Sequence, residues 1–180
     1  MTGWFDFMLK NSIERFAGRI IRVTEDDVVL PNGCECHLEV VHHPGGAAAV
    51  AINSSREVCL LRQYRYVVND WLWELPAGKR DHNEAPLETV ARELAEEAGV
   101  RAGRIRDLGR IVSSPGVFSE EVFLYLAEDL EDAERAPEHG EVMEVHWIAF
   151  DDAVAKALAG GIQDAKTIIG LLRAKSVLGG

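Results

Sequence analysis

Residues 78–100 run "GKRDHNEAPLETVARELAEEAGV". Five of these 23 residues are glutamates, and three of those fall within residues 93–97. Like charges this close on one helix repel each other, so something must offset them. Leu87, Val90, Ala91, Leu94 and Ala98 recur at spacings of three and four, which predicts a helix over about 85–98 with one apolar stripe. Pro86 suits its first turn, and Gly99 suits the left-handed residue just past its end. On a helical wheel Glu93 and Glu97 lie together at the flank of the stripe, with Glu96 further towards solvent. Arg92 and Glu96 form an i, i+4 pair on the adjoining face. Glu93 and Glu97 can thus reach a common cation while Arg92 pins Glu96. A hard cation such as Mg²⁺ takes oxygen ligands of this kind. A solvated helix of paired surface charges is the rival reading of the same residues.

Outward from the helix the pattern changes. "WLWELPAG" (71–78) reads as a strand running into the helical segment. Before it come short β-like runs, "RIIRV", "DDVVL", "CECHLEVV", "AAAVAI" and "EVCLLRQYR". Pro31-Asn32-Gly33 signals a hairpin between the second and third of these. The first 18 residues are mixed, with Trp4, Phe5, Phe7 and Phe16 among them. After the helix, "RIRDLGRIVSS" and "EEVFLYLAEDL" return to strand, followed by an acidic loop at roughly 128–141 and a last strand, "VMEVHWIAF". Two helical stretches close the pattern, at about 151–160 and 164–177. Strands, a helix, strands and then helices predict an α/β sandwich with a mixed sheet rather than a doubly wound parallel sheet.

The bulk numbers agree. A chain of 180 residues is long enough for a proper core and short for two domains. The net charge of −11 gives no general attraction to nucleic acid or to an anionic membrane, and no cluster of Lys and Arg makes a local exception. No apolar run is long enough for a membrane span, and the N-terminal residues do not read as a signal peptide. The three cysteines, Cys34, Cys36 and Cys59, form no CxxC pair and fit a reducing cytoplasm. Cys34 and Cys36 point to one face of a strand, where buried or half-buried structural residues are expected rather than a metal pair. An acidic protein that acts on an anionic substrate needs something other than its overall field to draw that substrate in. A divalent metal would serve.

From Gly78 the chain resembles the Nudix hydrolases without gap or exception. Gly78 is followed after five residues by Glu84, seven residues later by Arg92-Glu93, then by Leu94, Glu96-Glu97, Gly99 and Val100. The resemblance implies an α/β/α sandwich that hydrolyses a nucleoside diphosphate linked to another moiety. It implies that Glu93, Glu96 and Glu97 hold divalent metal, Mg²⁺ or in its place Mn²⁺, joined by the backbone carbonyl of Ala77. Arg92 then orients the glutamates and Glu84 supports the loop and helix. "HPGGAAAVAI", "LLRQYRY", "WELPAGK" and "SSPGVFSEEVFLYLA" further resemble the ADP-ribose pyrophosphatase branch, whose marker proline falls at Pro115, 16 residues after Gly99. Pyrophosphatases of GDP-mannose and other nucleotide sugars share parts of this pattern. One departure is "HPGGAAAV", where an apolar residue commonly follows the first glycine.

The same resemblance extends to other positions. The general base is expected on the loop before the last strand, with Glu141 the first candidate and Glu138 the second. Arg62 and Arg65 are expected to meet phosphate or base, Glu74 adenine or ribose, and Glu120 the terminal ribose, with Ser114, Pro115 and Gly116 shaping that loop. Glu144 is a further candidate for metal. Trp4, Tyr64, Tyr66, Trp71 and Trp73 offer faces for stacking, although most large aromatics are core or interface. Residues 1–46 are expected to form a β-rich dimerisation segment and residues 47–180 the hydrolase domain of a homodimer. The rival class is a non-catalytic nucleotide sensor. Such sensors often lose signature glutamates, and here all are present.

Overall fold

The computed structural model describes residues 8–81, 84–137 and 140–179. They fall into two units, Met1–Gly45 with Val112–Glu121, and Gly46–Ile111 with Val122–Gly180.

In the first unit β1 (Leu9–Ala17), β2 (Arg22–Val29) and β3 (Glu35–His42) form an antiparallel sheet in that order. The hairpin at Pro31-Asn32-Gly33 joins the last two, with Gly33 at φ +83°, where a side chain would be strained. Strand β1 is a correction, because the sequence reads there as mixed. Its polar residues alternate with Leu9, Ile13 and Phe16 too irregularly for a strand pattern, and register shifts interrupt the pairing. Pairing along β2, rather than burial, holds it, since every residue of β1 is exposed.

The second unit is built on β4 (Gly46–Ala51). It pairs in parallel with β9 (Glu121–Asp132) and antiparallel with β7 (Ala77–Lys79), in a sheet of order β7-β4-β9-β8, where β8 spans Val100–Val112. A second, antiparallel sheet places β5 (Glu57–Arg65) between β10 (Met143–Ala149) and β6 (Asp70–Glu74). The central strand GAAAVA is buried on both faces, as a strand covered on both sides must be. Ala47, Ala49 and Ala51 face Val90, Leu94 and Ala98 of the signature helix. Ala48, Val50 and Ile52 face a larger core with Leu60, Leu124, Leu126, Phe150, Val154 and Leu171. That second core is closed by α2 (Phe150–Leu158) and α3 (Ala165–Leu178). Helices on both sides of mixed β-structure make the fold an α/β sandwich.

Three further expectations are corrected. The signature helix is α-helical only over α1 (Pro86–Glu93), and the last turn, Leu94–Ala98, is a π-helix. Its buried face is centred on Thr89, Val90, Glu93, Leu94, Glu97 and Ala98, while Leu87 and Ala91 stand outside. The small side chains of β4 let the helix approach along the row that carries the carboxylates. Cys34 is exposed rather than buried, because that sheet has no layer packed over the thiols among the described residues of its unit, while Cys36 is half-buried as expected. Strand β9 runs to Asp132, further into the acidic segment than expected.

Candidate active site

The site grows from the corner where β6 ends, β7 begins and α1 crosses them. Gly78 makes the corner possible. A Cβ there would stand 1.7 Å from Oε1 of Glu93, so only glycine lets that carboxylate lie against the strand. Glu88 caps α1 by accepting from the backbone N–H of Ala85 at 2.9 Å. Gly99, at φ +70°, ends the π turn in the left-handed region.

Arg92 organises three carboxylates at once. Its Nε and Nη2 donate to the two oxygens of Glu84 at 3.0 and 3.1 Å, and Nη1 donates to Glu93 at 2.7 Å and to Glu96 at 2.9 Å. Glu84 also accepts from the Asp81 N–H and the Thr89 hydroxyl. The guanidinium, with these donors, holds the Glu84 carboxyl down at about 2. Glu97 turns the other way and accepts from the Ala77 N–H at 2.8 Å. It is 1% exposed, and burial pushes its carboxyl up to about 8, with the charges of Glu93 and Glu141 adding to the effect. Burial likewise raises Glu93 to about 6 against the pull of Arg92. Glu141 therefore lies near enough to act on both, while Glu138 lies outside the described residues. Arg135 donates to the carbonyl of Glu97 at 2.7 Å and pins the end of the π turn. Sequence reasoning missed it, because a lone arginine in an acidic loop carries no signal.

Other expected contacts are arranged differently. Glu74, expected to meet adenine or ribose, is 2% exposed and has both oxygens engaged. Arg65 holds it through Nε at 2.6 Å and Nη2 at 2.8 Å, and Lys166 donates to it from α3. Burial opposes its charge, but these two cations hold it at about 2. Arg65, expected to meet phosphate or base, is thus tied to Glu74, although its charge still reaches Glu97. Lys166, anchored also by Asp164 at 3.0 Å, is a second member that the sequence did not reveal. Arg62 lies over the Trp73 ring at 5.3 Å, and Lys156 lies at the same distance from it. Glu144 contacts His146 at 3.2 Å. Tyr64 and Trp71 meet edge to face, Tyr66 is largely exposed, and Trp4 lies outside the described residues. Ser114, Pro115, Gly116 and Glu120 belong to the first unit. There the Ser114 carbonyl accepts from Val117 and Phe118, and Glu120 stands 3.4 Å from His43.

Residues 42–169 match the NUDIX domain family. The chain belongs to it. As a Nudix hydrolase it is 35% identical over 156 residues to the methanol dehydrogenase activator of Bacillus methanolicus, covering 86% of this chain and 84% of that one. It is 34% identical over 154 residues to the ADP-ribose pyrophosphatase of Bacillus subtilis strain 168, covering 84% and 83%. Against the ADP-ribose pyrophosphatase of Mycobacterium tuberculosis H37Rv the identity is 35% over 178 residues, covering 97% and 86%. Among solved structures, one described as the crystal structure of ADP compounds hydrolase matches with a TM-score of 0.79 at 20% identity, covering 95% and 93%, and so shares the fold.

Nudix hydrolases generally use divalent metal, and the donor set of this one fits such an ion. Glu84, Glu93 and Glu96 share one guanidinium, and Glu97 and Glu141 add two more carboxylates near Glu93. Buried carboxylates raised to about 6 and about 8 are short of positive charge. Among the described residues no three acidic, imidazole or thiol side chains already converge as a cage. Arg92 draws Glu96 to one side while Glu97 turns to Ala77. None of the described helices is long and apolar enough to cross a membrane.

Proposed function

We propose that this Nudix hydrolase cleaves the diphosphate of ADP-ribose with water, giving AMP and ribose 5-phosphate. The observation that carries the reading is the buried pair of Glu93, which lies against Gly78 and is held by Arg92, and Glu97, which is held by the Ala77 N–H, in a chain about 35% identical to two ADP-ribose pyrophosphatases. Glu93, Glu96 and Glu97, with the Ala77 carbonyl, would hold Mg²⁺ or Mn²⁺, which neutralises phosphate charge and acidifies bound water. That sign reversal explains how a chain of net charge −11 accepts an anion.

The chain's own groups do the rest. Glu141, beside Glu93 and Glu97, takes a proton from the attacking water as one P–O bond forms and the bridging P–O bond breaks. Arg92 fixes the directions of Glu93 and Glu96. Glu74 acts on the site indirectly, by holding Arg65 in place. Arg62, Ser114, Pro115, Gly116 and Glu120 complete substrate binding in this reading, as the family resemblance implies. The three free cysteines support a reducing cytoplasm as its place, and the exposed apolar residues of β1 support a homodimer built on residues 1–46. Elution at about 20 kDa would overturn the dimer.

The test is phosphate release, coupled to a phosphatase that acts on monoesters, from ADP-ribose, GDP-mannose, ADP-glucose and a diadenosine polyphosphate. Preferred turnover of ADP-ribose, lost with EDTA and in Glu97→Gln, is expected. Preference for GDP-mannose would keep the chemistry and refute the substrate. Tight ADP-ribose binding without turnover of any compound would refute the enzyme and leave a sensor.

A further inference from the structure

The thiols of Cys34 and Cys36 stand 3.8 Å apart at the outer end of the first unit's sheet. Their placement is fixed by backbone. Asn32 Oδ1 accepts from the Cys34 N–H at 3.0 Å, and the Cys34 carbonyl accepts from Leu30 across the hairpin at 2.8 Å. Cys36 lies in the ladder opposite Val28. Residues two apart on a strand point to one face, so the hairpin presents both sulfurs together. Cys34 is exposed and Cys36 half-buried. His37 points to the other face, where it bonds Asp27 at 2.8 Å.

The spacing discriminates between two kinds of dithiol chemistry. A disulfide needs sulfurs about 2.0 Å apart and Cα atoms no more than about 6.8 Å apart. Strand residues two apart already sit near that limit, at about 6.6 to 6.8 Å, so closure would strain the ladder. Two thiolates each about 2.3 Å from a tetrahedral ion stand about 3.8 Å from each other. The observed separation matches the second case without movement of the strand.

We propose that Cys34 and Cys36 form a two-thiolate surface site for a thiophilic cation of the Zn²⁺ class, one ion per chain, with solvent completing its shell. The site is separate in chemistry from the carboxylates, which suit a hard cation. The hydrogen bond with Cys34 also disfavours ionisation of Cys36, and a bound cation removes that conflict. Binding therefore releases protons.

The test is titration of the reduced, full-length protein with Cd²⁺ in excess Mg²⁺, followed by the ultraviolet thiolate-to-metal charge-transfer absorption. Cys59, fully buried with its thiol pushed up to about 12, is the internal control. The expected result is a band that saturates at one ion per chain, vanishes in Cys34→Ser and in Cys36→Ser, and persists in Cys59→Ser. Bound Cd²⁺ should also protect the two thiols from alkylation. Both serine variants change exposed or half-exposed positions, and their far-ultraviolet circular dichroism checks that they fold. No band, or a band unchanged in Cys34→Ser, overturns the proposal. So does a pair that takes no ion but loses two hydrogens to a small disulfide by exchange.

Discussion

Replacing Glu97 with glutamine should stabilise the metal-free protein in alkaline solution while removing its stabilisation by Mg²⁺. The wild-type carboxyl is 1% exposed and titrates at about 8 when folded, against an ordinary value of 4.5. A group whose folded value is raised contributes stability that is complete below the unfolded value and is lost as pH rises through the folded one. Each pH unit between the two values costs about 1.4 kcal/mol. Between pH 5 and pH 8 the metal-free wild type should thus lose about 3 kcal/mol from this residue. For a chain of this length that lowers Tm by roughly 6 to 12 °C. Glutamine keeps an oxygen for the Ala77 N–H and has no charge to bury. Its curve should lack this slope, crossing from slightly below the wild type near pH 5 to above it near pH 8.

The assay is thermal unfolding by tryptophan fluorescence across that range, in EDTA and in excess Mg²⁺. The difference between the two proteins isolates Glu97 from the other groups that titrate there, Glu93 among them. In Mg²⁺ the wild type should recover most of the loss, because a ligand that binds only the folded state stabilises it. The variant should not. A variant that keeps the wild-type slope in EDTA would refute the burial argument, and one that keeps the wild-type response to Mg²⁺ would refute the metal role.

Gly78→Ala should lower turnover at least about 100-fold, because its Cβ would displace Glu93, and a kcat within threefold of wild type would show that the corner can yield. Glu74, held at about 2 by Arg65 and Lys166, contributes stability that is complete above about 4.5 and lost as pH falls towards 2. Glu74→Gln should leave Lys166 and Arg65 facing a neutral amide and cost about 3 to 5 kcal/mol in urea unfolding at neutral pH. A loss under 1 kcal/mol would mean that Asp164 suffices for Lys166. Of the two candidate bases, Glu141→Gln should lower kcat at least about 100-fold and flatten the acidic limb of the pH profile, with Glu138→Gln near wild type. The reverse ranking would move the base.

The fold was readable where burial imposes a period. The unbroken apolar run of β4 and the rows of α1 follow from layers packed on both sides. Strand β1 was not readable, since nothing among the described residues of its unit covers it and ladder pairing leaves no mark on side-chain polarity. The same distinction divides the site. Gly78, Glu84, Arg92, Glu93, Glu96 and Glu97 stand at fixed spacings because one corner and one helix hold them. Arg135 and Lys166 come from distant segments, and only the folded chain brings them to the Glu97 carbonyl and to Glu74. The engagement of Glu74 by Arg65 and Lys166 was not readable for a related reason. Position beside the Leu-Pro-Ala-Gly segment locates the residue but does not show that Arg65 and Lys166 already occupy both oxygens.

The π turn explains how three glutamates within five residues do different things. In a continuous α-helix Glu93 and Glu97, four apart, would sit one above the other on the same face. A π turn accommodates an extra residue, and such turns recur at functional sites. Across Leu94–Ala98 the backbone therefore rotates less per residue, and Glu97 reaches the Ala77 N–H on β7 while staying close enough to Glu93 for their charges to interact. Glu96 stays within reach of Arg92. The wide turn would be costly if its end were loose, and it is fastened. Arg135 donates to the Glu97 carbonyl, Ala136 to the Glu96 carbonyl at 3.1 Å, and Ala133 to Gly99 at 2.8 Å. Repulsion among the carboxylates is thus reduced in two ways before any ion binds, by the guanidinium of Arg92 on Glu93 and Glu96 and by the Ala77 N–H on Glu97. What remains uncompensated is Glu97 itself, whose burial makes its charge unfavourable until a cation arrives.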